Sequence, residues 1–134
     1  MNEAKTWFEF ARTDLRVAEL AKNDGLFNQT CFHAHQAVEK LLKGFLLAHG
    51  QRVPRTHSLL ELGRLAKDHG FPSKLVEKIR MLDAYYLPTR YPDALPRLSD
   101  LPKSAEAEEA LQIAQEVWRW IVSDRPRNKD KLGG

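Results

Sequence analysis

The chain has 134 residues, 43% of them hydrophobic, which suffices for one domain with a single core and not for two. Its net charge of +3 is modest and gathers late, at Arg125, Arg127, Lys129 and Lys131, so contact with nucleic acid is permitted but not demanded. A single cysteine, Cys31, excludes an internal disulfide framework and a thiolate zinc site.

Charged residues interrupt every apolar run, so no membrane span is expected. The segment MNEAKTWFEF carries charges where a signal peptide would need an apolar core. The expected location is therefore a reducing cytoplasm.

The first periodic segment runs from about Glu3 to Asn23. Ala4, Phe8, Ala11, Leu15 and Ala18 recur at helical spacing, and Asp24-Gly25 ends the segment. A second helix is predicted over Phe27–His49. Phe27, Cys31, Ala34, Val38, Leu41, Phe45 and Ala48 form a seam of the kind that packs in a bundle. Ser58 and Glu61 have the spacing of a capping box, which starts a third helix that stops at Gly70. Pro72-Ser73 opens a fourth, with Leu75, Val76, Ile79 and Leu82 as buried positions.

Prolines at 88, 92, 96 and 102 exclude a helix between Leu87 and Pro102 and predict a long irregular loop. The last helix begins near Ser104, with Ala110, Ile113, Ala114, Val117 and Ile121 as its apolar stripe. No segment alternates like a half-buried strand. The fold class is all-α, an antiparallel bundle of four to five helices over residues 1–123. Residues 124–134 form a charged tail with little to bury, and disorder is expected there.

Two regions carry candidate chemistry. In the proline-rich loop, Tyr85, Tyr86, Arg90, Tyr91 and Asp93 combine stacking surfaces with a guanidinium and a carboxylate, which suits nucleotides or phosphates. The plainer reading packs the tyrosines on the bundle and pairs Arg90 with Asp93. On the second helix, Phe32, His35, Glu39, Leu42 and Leu46 make a row beside the core seam. His35 and Glu39 lie one turn apart and read as a buried structural polar pair that needs partners. Two ligands one turn apart are only half a metal site, so no metal is expected. His33, Gln36, Lys40 and Lys43 form an adjoining row, read as solvated, with anion binding as its second possibility.

These same residues carry a family resemblance. Trp7, Ala11, Asp14-Leu15 and Ala18 come first, then the run Cys31–Lys43 (CFHAHQAVEKLLK), then Thr56-His57-Ser58-Leu59, then Arg90-Tyr91-Pro92-Asp93. In that order, over roughly residues 7–121, they resemble the HEPN domain family (higher eukaryotes and prokaryotes nucleotide-binding). The resemblance implies a helical bundle, commonly dimeric, often paired with a minimal nucleotidyltransferase in a toxin–antitoxin-like arrangement. It also implies that some members are metal-independent ribonucleases with an Arg-x(4–6)-His motif.

Arg52 and His57 fit that spacing, and so do Arg64 and His69. About one such match is expected by chance in this composition, and no histidine follows His69. His57 therefore has two readings, ordering the start of the third helix or acting as an acid or base with Arg52. The leading expectation is a nucleotide- or RNA-phosphate-binding module without a cofactor, using Lys40, Lys43, Arg90, Tyr91 and Asp93. The rivals are a metal-independent endoribonuclease toxin acting through Arg52 or Arg90 with His57, and a purely structural dimer.

Overall fold

In the computed structural model, which describes residues 3–86 and 101–123, apolar periodicity turns into burial helix by helix. Helix α1, Glu3–Asn23, turns Ala4, Phe8, Ala11, Leu15 and Ala18 inward. The chain then reverses at Gly25, whose amide donates to the Lys22 carbonyl at 3.1 Å while the Leu26 amide donates to Ala21 at 2.8 Å. Carbonyls left over at the helix end are thereby satisfied. This short reversal lays α2, Phe27–Ala48, antiparallel against α1.

Helix α2 is the centre of the molecule. It packs against α1, against α3 (Leu59–Lys67), against α5 (Ser104–Trp118) and against a 3-10 turn at Arg80–Tyr85. Every residue from Leu41 to Leu46 is buried, because neighbours cover the helix on all sides there. Gly44 marks a close approach to α1. A Cβ at this position would lie 2.7 Å from Phe8 Cε1, nearer than packed carbons come. Helix α2 ends with Gly50 at φ +79°, a left-handed conformation that glycine adopts without the steric cost a Cβ imposes.

Ser58 caps α3 as the S-x-x-E spacing predicts, its Oγ accepting from the Glu61 amide at 3.1 Å. Helix α4, Ser73–Ile79, runs directly into the 3-10 turn, so the predicted fourth helix changes its winding after Ile79. At α5, Glu106 Oε1 accepts from the Lys103 amide at 2.9 Å. The helix then ends in a π turn at Arg119–Ser123, which sets Trp120 against Phe45 and Phe71 with ring centroids 5.5 and 5.3 Å apart.

Five α-helices and no strand occur among the described residues, in agreement with the all-α bundle the sequence predicts. None of these helices is long and apolar enough to cross a membrane. Most of the predicted proline-rich loop and the whole charged tail at 124–134 lie outside the described residues.

Candidate ligand-binding site

Where α2, the approach to α3 and the 3-10 turn meet, polar side chains converge on Glu39. The residue is 5% exposed, so its carboxylate is all but closed off from water. A carboxylate there needs donors. Oε2 accepts from Lys43 Nζ one turn along the helix and from His57 Nδ1 on the connection before α3, both at 2.9 Å. Oε1 accepts a long hydrogen bond, 3.5 Å, from Gln36 Nε2.

His35 is fully buried beside it and couples α2 to the 3-10 turn. Its Nε2 lies 3.2 Å from Asp83 Oδ1, while Gln36 Nε2 donates to its Nδ1 at 3.2 Å, a pattern that assigns the ring proton to Nε2. His35 and Glu39 are therefore neighbours, 3.9 Å apart at closest, but each has its own stronger partner.

Asp83 in turn holds the start of α3. Its two carboxylate oxygens accept from the amides of Leu59 at 2.8 Å and Leu60 at 3.1 Å. Burial pushes the Asp83 carboxyl upward, but the hydrogen bonds from His35 and from both amides outweigh it and leave the group below its ordinary range. The negative charge thus stays at a helix N-terminus, where dipole and free N–H groups favour it. Glu39 and Asp83 together fix the entry to α3, Glu39 through His57 and Asp83 through Ser58, Leu59 and Leu60.

His57 is the exposed member of the cluster, with 56% of its side chain in solvent. Its Nδ1 is committed to Glu39, and its ring lies flat against Tyr86 at 5.1 Å between centroids with planes 15° apart. Nε2 is left without a hydrogen bond to any described residue. A second imidazole–carboxylate pair stands further along α2. His33 Nδ1 donates to Asp14 Oδ1 at 2.9 Å, and Lys40 Nζ donates to Asp14 Oδ2. Burial raises the Asp14 carboxyl, and the His33 and Lys40 hydrogen bonds overcome that rise and hold it below its ordinary value.

The structure redistributes the residues nominated from sequence. His35, Glu39, Lys43 and His57 come together, while Lys40 joins the Asp14 pair instead. The solvated reading of Lys43 is corrected, since the residue is only 6% exposed, with its ammonium on Glu39 and 5.9 Å from the centroid of the Trp7 ring. Helix α1 supplies that cover, which the pattern of α2 alone does not reveal. Arg52 is exposed, and neither an ion pair nor a hydrogen bond joins it to His57 or to any other described residue. Arg90, Tyr91 and Asp93 lie outside the described residues.

Asp83 is absent from the sequence-based candidates. Its partners lie 23 to 48 residues away, beyond any helical spacing that could flag it. The single cysteine is buried, and that burial pushes the Cys31 thiol up to about 12, which removes it as a nucleophile near neutrality. Among the described residues no three histidine, cysteine or acidic side chains converge as metal ligands.

Comparison with known proteins agrees with this architecture. The HEPN domain model matches residues 4–127. The crystal structure of TT1696 from Thermus thermophilus is similar over 98% of this chain and 100% of that one, at 42% identity and a TM-score of 0.80. The structure of ST0689, an archaeal HEPN homologue, is similar over 90% of this chain and 95% of that one, at 28% identity and a TM-score of 0.72. No curated protein matches the chain. With the family model spanning almost the whole sequence and the same bundle recurring at that identity, the chain belongs to the HEPN domain family.

Proposed function

We propose that this chain is a binding module for a nucleotide or for the phosphate of RNA, working as a homodimer beside a nucleotidyltransferase partner. The observation that supports this reading is His57, an exposed imidazole tethered through Nδ1 to a buried carboxylate and laid against the Tyr86 ring. A tether of this kind fixes which ring nitrogen faces outward, so Nε2 meets a ligand without first being ordered. The Tyr86 ring, packed flat against the imidazole, holds it in that orientation. Arg52 and Arg55 are exposed on the same connection and supply positive charge for phosphate. Lys40 and Lys43, committed to Asp14 and Glu39, contribute to the site by holding it in shape. Arg90, Tyr91 and Asp93, which follow Tyr86 closely in sequence, complete the proposed set of ligand-binding residues on the strength of their residue types alone.

One observation favours the ribonuclease reading as the alternative. Glu39 provides His57 with the orienting carboxylate that a general acid or base uses.

A single preparation tests both. Purified protein is titrated with AMP, ATP and a short oligo(A) RNA by calorimetry, and the same protein is incubated with transfer RNA in EDTA. Saturable binding that is lost in His57→Ala and weakened in Arg90→Ala, without cleavage, supports the binding module. Cleavage leaving 2′,3′-cyclic phosphate ends, abolished in His57→Ala, replaces it with the ribonuclease. Neither binding nor cleavage leaves a structural dimer.

A further inference from the structure

The chain's five histidines present their ring nitrogens very differently. His35 is fully buried with both nitrogens engaged, Nε2 by Asp83 and Nδ1 by Gln36. His49 commits Nδ1 to the Phe45 carbonyl and lies, half-buried, against the half-buried ring of His69. His33 holds Asp14 through Nδ1 and is 25% exposed. His57 differs from all four, pairing an Nδ1 bond to a buried carboxylate with a ring more than half in solvent.

This arrangement is that of an imidazole prepared to react at Nε2. Nδ1 donates its proton to Glu39, which leaves the lone pair on Nε2, and Nε2 has no hydrogen bond to any described residue. A carboxylate on one imidazole nitrogen strengthens the other as a base and stabilises the cation that forms when it reacts. Lys43 shares Oε2 and balances the buried charge. Tyr86 lies flat against the ring and holds its direction. Arg52 and Arg55 are exposed on the same connection, a supply of positive charge for an anion held there. Satisfying Glu39 alone would not need an exposed ring, since a donor for it can be buried as Lys43 is.

We infer that His57 Nε2 is a phosphoryl acceptor, modified by a donor of the phosphoramidate class, in which phosphorus is bonded to nitrogen. The Nε2 lone pair forms the new N–P bond, and the donor's own P–N bond breaks. Its electron pair departs with the amine, which leaves neutral as ammonia when the donor is phosphoramidate in its zwitterionic form. The ring becomes a cation whose Nδ1 proton stays on Glu39, and the phosphoryl group keeps its two negative charges. Atoms and charge balance with no further reactant. The step needs no nucleotide, so it stands apart from the binding function proposed above.

The test incubates the full chain with potassium phosphoramidate, folded and in concentrated urea, and follows phosphohistidine by phosphorus NMR and by fragmentation mass spectrometry. In urea the label spreads over all five histidines. In the folded chain it concentrates on Nε2 of His57, at a rate at least roughly tenfold above that of an average histidine in urea, the scale of one orienting partner. His57→Ala removes this label, and His33→Ala leaves it unchanged. Glu39→Gln slows it by roughly tenfold and lets Nδ1 be labelled as well, a change of site that a purely structural carboxylate would not produce. Thermal melts show that each variant is folded, and the comparison of folded and unfolded wild-type chain needs no variant.

Label spread in the folded chain as it is in urea overturns the inference. So does label on His33 at the rate of His57, or a rate that folding does not raise. Glu39→Gln labelled like the wild type in a folded protein overturns it too. None of these results bears on nucleotide binding, which calorimetry reads separately.

Discussion

At the scale of single residues, the Glu39–Lys43 pair decides how much the site costs the fold. Both side chains are almost fully buried, and their polar atoms meet at 2.9 Å. Two buried charges of opposite sign roughly offset their own desolvation, whereas one of them alone does not. Lys43→Met should therefore lower stability by about 3 kcal/mol, as the Glu39 carboxylate is left with His57 and a weak bond from Gln36. The double variant Glu39→Gln/Lys43→Met should recover most of that loss, because no buried charge remains. Urea unfolding at neutral pH measures both. A double variant as unstable as the single one would show that the pair stabilises the native state outright. Ligand affinity should fail to recover alongside stability, since a neutral amide at position 39 tethers His57 less firmly.

At the scale of the element, α2 carries two duties that differ in how legible they are in the sequence. Its core seam is readable, since Cys31, Ala34, Val38, Leu41 and Phe45 recur at the helical period and all are buried. The polar row is readable only as a requirement. His35 and Glu39 on a half-covered face have to find partners, but periodicity inside one helix says nothing of which distant side chain arrives. Asp83 and His57 arrive because α3 and the 3-10 turn pack onto α2, a tertiary fact. Gly44 is invisible for the same reason, its significance lying in the Phe8 ring on another helix. Gly44→Ala sets two effects in opposition. Helix propensity favours alanine by about 1 kcal/mol, and overpacking against a ring opposes it by about 1–3 kcal/mol. A contact of 2.7 Å forces the ring or the backbone to move, so overpacking should win and the melting temperature should fall. Adding Phe8→Leu should restore part of it, and a rise in stability for Gly44→Ala alone would show that Phe8 yields freely.

At the scale of the whole molecule, charge limits how the proposed ligand can be held. Residues 124–134 contain four cations and two carboxylates, so the chain's +3 leaves +1 for residues 1–123. A nearly neutral body exerts little long-range pull on a polyanion. Many of the body's charges are also committed locally, as in Lys22–Glu108, Lys78–Glu116, Lys40–Asp14 and Lys43–Glu39. On the proposed function, affinity for RNA would come mainly from hydrogen bonds at His57, with Arg52 and Arg55 as the exposed cations beside it. Single-stranded RNA releases counterions with a slope of about −0.7 per phosphate neutralised, so two such contacts give a slope of log K against log salt near roughly −1.5. Removing residues 124–134 should leave that slope and the melting temperature almost unchanged. A slope steeper than about −3 that becomes shallow in the truncated chain would place binding in the charged tail and remove the α2 face from the function.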